Sequence, residues 1–440
     1  MFTFNGYEVK KAEGVILFGY KLEHKGEMFS FTEKITFDVA RADFDRVSPK
    51  VLSAALDTLS LILGVSYWKP FCPKDIRLPH ITLSKEQAEF WNTVYTKGLG
   101  EFFYKNSIDF RGLVNFPFAE TLSEQPVAES LPPVGKTLVL WGGGKDSIVS
   151  AELLKKCEKD FDLFSLNDSD VQRDTAKISE KELVVVSREI DKGLFELNKR
   201  PDAYNGHVPI SFVYAATATL TALLYGYDSI IISSEESANY GNVEYLGAVV
   251  NHQWSKSYEF EGMFRHYFAL HITPSITFFS LLRPYHEIKI AELFSKYPAY
   301  FKVFSSCNKN FSIEKRAATR WCGHCPKCAF VFALLAAHIP RSELVRIFGE
   351  DLFLKESLVP LYRELLGLET TKPFDCVGTP EETALALYFV HQKREFFGSP
   401  VMRLFEDNFG GRFDVITKSE EVLLVKNPHV ALPKEFTHCL

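Results

Sequence analysis

The spacing of apolar and polar residues changes character about a third of the way along the chain. Over residues 1–122, short β-like runs such as 29–37 mix with helical periodicity at 52–63 and 85–104, which predicts a small α+β unit. Residues 123–136 carry Ser123, Glu124, Gln125, Pro126, Ser130, Pro132, Pro133 and Gly135, the punctuation of a linker. Beyond it, apolar runs at 137–140, 161–166, 182–187, 229–233 and 275–282 alternate with helical segments at 147–156 and 211–225. That alternation predicts an α/β domain over 137–300, with a doubly wound parallel sheet. From 301 to 440 the pattern turns helical, with candidates at 326–337, 356–366 and 381–396. No internal repeat is visible.

Composition adds boundaries to this picture. With 440 residues, 46% hydrophobic and 24% charged, the chain buries a sizeable core and is not disordered. A net charge of -6 argues against a broad basic surface for nucleic acid, so an anionic substrate must find local positive charge. The first residues, Met1-Phe2-Thr3-Phe4-Asn5-Gly6, lack the features of a secretory signal. The longest apolar stretch, 212–224, is too short for a comfortable membrane span and reads as a core helix. The expectation is a cytoplasmic protein with no membrane insertion.

Between the strand at 137–140 and the helix after it lies Gly142-Gly143-Gly144-Lys145-Asp146-Ser147. Glycines there let the backbone approach a ligand, and the helix start offers unpaired N–H groups and a positive dipole end, so phosphate is the natural guest. Two common phosphate motifs fail. A Walker loop needs GxxxxGK followed by Ser or Thr, and the dinucleotide fingerprint needs a third Gly where Ser147 stands. The competing reading is a tight turn in which Asp146 only caps the helix. Ligands in such folds lie beyond the carboxyl ends of the strands, which nominates Ser165 and Asn167 after the second strand and Ser187 and Arg188 after the third.

Four cysteines crowd together as Cys307 and then Cys322-Gly323-His324-Cys325-Pro326-Lys327-Cys328. In a reducing compartment that spacing points to a metal rather than a disulfide framework, and four thiolates with no open position describe a structural Zn²⁺ site. A [4Fe-4S] cluster uses the same ligands.

The glycine loop resembles the S-G-G-x-D-S loop of the PP-loop ATP pyrophosphatases, with Gly142 in place of the first Ser, and the cysteine spacing is similar to that of 7-cyano-7-deazaguanine synthases. Longer stretches resemble the UDP-N-acetyl-α-D-muramoyl-L-alanyl-L-glutamate epimerases of peptidoglycan synthesis. They include Trp141 to Ser147, Asn205-Gly206-His207-Val208-Pro209, Glu235-Glu236-Ser237-Ala238-Asn239, Asn251-His252-Gln253-Trp254-Ser255-Lys256-Ser257, Leu282-Arg283-Pro284, Trp321 to Cys328 and Lys372-Pro373-Phe374-Asp375-Cys376-Val377-Gly378. Near the N-terminus, Gly64-Val65-Ser66-Tyr67-Trp68-Lys69 and Gly98-Leu99-Gly100-Glu101-Phe102 are similar as well.

The resemblance implies a PP-loop sheet, and an ATP- and Mg²⁺-dependent inversion of the terminal L-glutamate of a UDP-muramoyl dipeptide, with release of AMP and pyrophosphate. A Cα–H beside a free carboxylate is very weakly acidic; an acyl-adenylate removes that negative charge and lets an enolate form. His207, His252, His286 and Cys376 are the candidates for moving the proton. Asp146, Glu235 and Glu236 are candidate Mg²⁺ ligands. Lys69, Lys256 and Arg283 are cations for the triphosphate or the substrate's carboxylates. Three other readings stand beside it: a PP-loop enzyme making an amide or nitrile, one modifying tRNA, and a nucleotide-binding sensor without turnover.

Overall fold

The computed structural model describes residues 1–120, 129–311, 319–430 and 432–440. In chain order its strands are β1 (Phe2–Lys10), β2 (Val15–His24), β3 (Glu27–Thr36), β4 (Ile76–Arg77), β5 (Thr137–Leu140), β6 (Phe161–Leu166), β7 (Leu183–Glu189), β8 (Ser229–Ile232), β9 (Val243–Tyr245), β10 (Ala248–Val250) and β11 (Thr277–Ser280). All but the β9–β10 hairpin belong to one sheet, ordered β11-β8-β5-β6-β7-β3-β2-β1-β4. From β11 to β7 neighbouring strands run parallel, while β3 joins β7 antiparallel and carries the N-terminal hairpin onto the same sheet.

The apolar runs of the parallel strands follow from burial on both faces. Along β5, Leu138 enters one core and Val139 the other; Phe164 and Leu163, Ile230 and Ile231, and Phe278 and Phe279 divide the same way. Each such side chain, fully buried, contributes about 1.5–3 kcal/mol of transfer free energy. Helices Pro49–Trp68, Ile210–Tyr225 and Tyr258–His271 cover the first face. Helices Lys145–Lys156, Glu287–Phe294 and Pro326–Ala336, with the C-terminal helices behind them, cover the second. The sheet is therefore wound on both sides, and helices dominate the C-terminal region.

The positions differ from expectation in instructive places. The stretch 123–136, whose residues 121–128 lie outside the described ones, does not interrupt the sheet or the first core, both of which draw on residues from either side of it. The helical pattern at 85–104 divides into Lys85–Gly98 and Gly100–Lys105, because Leu99 between the two glycines leaves the helical conformation. The segment 356–366 begins as a 3₁₀ turn, Glu356–Leu358, before the helix Val359–Leu365. Among the described residues the longest apolar helix is Pro49–Trp68 rather than the one around 212–224; it has the length and composition to cross a membrane, yet most of it is buried inside the fold. Cys157, at the end of the helix Lys145–Lys156, forms a disulfide with Cys439, a pairing that the crowding of the other cysteines gave no reason to expect.

Going outward from β5, the chain adds β6 and β7 on one side and then crosses back to β8 and β11 on the other. That reversal opens a crevice at the carboxyl end of β5, and the glycine loop lies there.

Candidate active site

The glycine loop is shaped by two contacts. Gly143 has φ +70°, and a Cβ there would meet Thr175 Oγ1 and Val171 Cγ1 at 2.8 Å, so only glycine fits. Gly144 caps the helix Lys145–Lys156, and its own missing Cβ would meet Ser306 Oγ at 2.8 Å. Asp146 is thus not the cap but a first-turn residue, an acid beside the positive end of the helix dipole. Gly142 has open space where a Cβ would be. Ser305 donates its N–H to the Gly143 carbonyl at 3.3 Å, and Ser306 sets its hydroxyl beside Gly144, so this segment lines the cavity next to the loop.

The loop borders a cavity of about 450 Å³, lined among others by Gly142, Gly144, Asp146, Ser147, His207, His252, Lys256, Lys327 and Cys376. Residues as distant in sequence as His207 and Cys376 therefore meet at the helix N-terminus. Lys256 donates from Nζ to the Cys376 Sγ at 3.4 Å, and His252 lines the cavity with them. Burial alone pushes the Cys376 thiol up, but the Lys256 charge, His252 and Lys327 outweigh it and bring it down to about 6. The other side of the imidazole belongs to Glu101, whose Oε2 is in hydrogen-bond contact with His252 Nδ1 and lies 3.5 Å from His207 Nδ1. Burial disfavours charge on His252, yet Cys376 and Glu101 raise it to about 9. Burial likewise works against the Glu101 carboxylate, but His252, His207 and Lys105 hold it at about 2. His207, its ring 4.5 Å from that of His252, is pushed down to about 3 by burial and by the His252 charge.

Below the loop lies a buried group of charges. Lys145 Nζ contacts the carboxylates of both Asp146 and Glu287, and Lys327 Nζ lies 3.2 Å from Glu287. Glu235 is buried beside them; desolvation, then Glu287 and Asp146, raise it to about 7. Glu287 goes the other way, its two lysines overcoming burial to hold it at about 2. Asp146, which lines the cavity, offers a hard oxygen suited to Mg²⁺, with Glu235 behind it.

Other nominated residues have been drawn elsewhere. The Arg188 guanidinium is buried against Glu33 and does not line the cavity. Arg283, also buried, is held by Glu261 and by the carbonyls of Glu235 and Lys256, so it braces the cavity wall rather than facing a ligand. Ser165 donates to the Asn167 carbonyl and accepts from Gln172, and it is Gln172 that reaches the cavity. Asn167 is joined to the Arg188 backbone, and Ser187 sits opposite Thr36 in the β3–β7 ladder. His286 sits at a helix cap with Nδ1 3.4 Å from Ser237 Oγ, and Glu236 opens a 3₁₀ turn; neither lines the cavity. Lys69 donates to Asn205 Oδ1 and the Gly206 carbonyl, bracing the loop that carries His207. Glu101, Glu287 and Lys327 are charged residues of this arrangement that motif reading passes over. For Glu101 and Lys327 a signal existed, since each lies within a stretch noted above for its resemblance.

The four cysteines converge. Their sulfurs lie within 4.8 Å of one another, with Cys307–Cys325 at 4.0 Å, Cys322–Cys328 at 3.7 Å and Cys325–Cys328 at 3.4 Å. A tetrahedral ion with Zn–S bonds of about 2.3 Å separates its sulfurs by about 3.8 Å, so the set fits such an ion. Zn²⁺ there would tie Cys307 to the start of the helix Pro326–Ala336.

Residues 1–281 match the family model described as MurL N-terminal domain, and residues 303–419 match the MurL C-terminal domain. A protein of Micromonospora sp. named UDP-N-acetyl-alpha-D-muramoyl-L-alanyl-L-glutamate epimerase is 37% identical over 413 residues, covering 92% of this chain and 90% of its own. Its namesake in Xanthomonas oryzae pv. oryzae is 39% identical over 355 residues, covering 80% and 77%. Another in Salinispora tropica is 37% identical over 408 residues, covering 91% and 87%. No solved structure matches the chain. Similarity of this extent, across both domain models and nearly the full length, makes the chain a member of the UDP-N-acetyl-α-D-muramoyl-L-alanyl-L-glutamate epimerase family.

Proposed function

We propose that the enzyme inverts the terminal L-glutamate of UDP-N-acetylmuramoyl-L-Ala-L-Glu to D-glutamate, through an acyl-adenylate made from ATP with release of pyrophosphate and AMP. The observation that carries this reading is a shared cavity: the glycine loop and helix N-terminus open into the same space as Cys376, His252 and His207. Phosphates suit one end and proton chemistry the other. Glycine-loop N–H groups, Lys256 and Lys327 supply the positive potential for a triphosphate, although the protein's net charge is -6.

Asp146 and Glu235 would hold Mg²⁺, which when bound offsets phosphate charge at the reacting phosphoryl group. Cys307, Cys322, Cys325 and Cys328 would hold Zn²⁺ in a structural role. The chain's own residues do the rest. They seat the nucleotide, set the carboxyl group beside it and offer Cys376, His252 and His207 around the activated carbon.

The decisive experiment incubates the protein with ATP, Mg²⁺ and UDP-N-acetylmuramoyl-L-Ala-L-Glu, follows AMP and pyrophosphate, and determines the configuration of the glutamate. The expected result is D-glutamate with AMP formation dependent on the dipeptide. L-glutamate alone, without AMP, would overturn the reading.

A further inference from the structure

Epimerisation by proton exchange needs one group to remove the Cα proton and another to return one from the opposite face. The cavity also holds the parts of an activated nucleophile: Cys376, its sulfur 3.4 Å from Lys256 Nζ, and His252, an imidazole lining the same space whose Nδ1 is oriented by a carboxylate, Glu101. Lys105 Nζ, 2.7 Å from Glu101 Oε1, fixes the carboxylate in turn.

We propose that Cys376 is the nucleophile that takes the activated carboxyl group of the substrate as a thioester, with Glu101 as the positioning residue that aligns His252 against it. The proposal rests on the adenylation reading above. Cys376 lines the same cavity as Gly142 and Gly144, so an acyl-adenylate seated at the glycine loop shares its space with the sulfur. The thiol is already ionised near neutral pH, and Lys256 faces it.

The balance is simple. The Sγ electron pair forms the S–C bond, the C–O bond to the adenylate breaks, and AMP leaves with that pair. In the thioester, as in the adenylate, no carboxylate charge opposes carbanion formation at Cα; His207, uncharged and lining the same cavity, takes that proton and passes it to solvent, and a water adds one from the other face. A thioester also resists water longer than an acyl phosphate anhydride, which gives time for that exchange. Once the thiolate is consumed, His252 loses the partner that held its proton and releases it to solvent. It then takes one proton from the hydrolytic water as the C–S bond breaks; the new carboxylic acid releases the other, and the thiolate is restored.

The test is acid quenching of the enzyme during turnover with ATP, Mg²⁺ and UDP-N-acetylmuramoyl-L-Ala-L-Glu, followed by mass spectrometry of the intact chain and its peptides. Cys376→Ser, whose oxyester leaves less readily, should accumulate the mass of the UDP-muramoyl dipeptide less water at position 376. Cys376→Ala should still release pyrophosphate but form neither the adduct nor D-glutamate. Glu101→Gln should move the pH midpoint of site-specific Cys376 alkylation by iodoacetamide upward, a shift that loss of packing alone would not produce. D-glutamate from Cys376→Ala overturns the proposal. So does a Cys376→Ser protein free of adduct while the wild type releases pyrophosphate, or an unchanged alkylation midpoint in Glu101→Gln. Absence of pyrophosphate from the wild type instead removes the adenylation reading beneath it.

Discussion

The glycine loop makes a prediction in which two adjacent substitutions behave oppositely. Gly143→Ala places an L residue at φ +70°, which costs about 1–2 kcal/mol in the left-handed region. Its Cβ would lie 2.8 Å from Val171 Cγ1 and Thr175 Oγ1 and 3.0 Å from the Val171 carbonyl. Relieving such overpacking costs about 1–3 kcal/mol more, for a total of about 2–5 kcal/mol. Against a net domain stability of about 5–15 kcal/mol that is a large loss, and the loop must shift to take it. A displacement of about 1 Å at a substrate-positioning loop lowers turnover on the order of 100-fold. Gly142→Ser, by contrast, adds a side chain into open space at a glycine outside the left-handed region. Its stability should stay within about 1 kcal/mol of the parent. Urea denaturation and dipeptide-dependent pyrophosphate release measure both quantities on both variants. A Gly143→Ala protein as stable and active as the parent would refute the reasoning, as would a Gly142→Ser protein that fails alongside it.

Three more predictions follow from charges and ligands. Glu101→Gln should destabilise the chain by at most about 3 kcal/mol, the linkage value of the 4.5-to-2 displacement of Glu101. The sign is set by both partners: the Glu101 contribution is present above its unfolded value of 4.5 and lost as pH falls through about 2, and the His252 contribution is present below 6.5 and lost as pH rises through about 9. The difference between variant and parent in urea midpoint should therefore be larger at pH 5.5 than at pH 9.5, on the order set by that linkage. Arg188→Met should cost about 3–5 kcal/mol by leaving the Glu33 carboxylate buried without its cation, while ATP affinity of the folded protein stays the same. A changed affinity would return Arg188 to the nucleotide site. Metal analysis of the purified protein should find Zn²⁺ in Cys307-Cys322-Cys325-Cys328, and Cys322→Ser should lose that metal together with several degrees of thermal midpoint.

Strand and helix periodicity carried most of the fold because both faces of the parallel strands are buried. Runs such as 138–140 and 230–232 are apolar throughout and stand out. The association of β3 with β7 is different in kind: it pairs Lys34 with Glu189 and Thr36 with Ser187, and no local pattern announces a partner so distant in sequence. The same limit governs the site. The glycine loop and the four cysteines are local motifs, and the fold sets the first at a cavity and draws the second together. Arg188 and Arg283 stand at strand ends as a nucleotide ligand would, but whether a guanidinium faces a cavity depends on Glu33 and Glu261, which only the folded chain brings to them. Glu101 illustrates the converse, since its partner His252 is 151 positions away.

The cavity is therefore a product of the whole chain. Glu101 comes from the N-terminal region, Gly142 to Ser147 and His252 from the sheet's crossovers, and Lys327 and Cys376 from the C-terminal region. The two family models divide the chain between 281 and 303, so each half supplies part of one site. Within the first half, Glu101 and His252 are paired but lack the sulfur; within the second, Cys376 lacks the imidazole and Lys256 that ionise it. Desolvation then acts on incomplete sets of charges. A buried thiol without Lys256 and His252 would be pushed up rather than down, and it would lose its thiolate near neutral pH. The continuity of the sheet across 123–136 and the packing of the C-terminal helices onto its second face thus have a chemical consequence: they hold opposite charges close enough that each partner's burial is offset by another's.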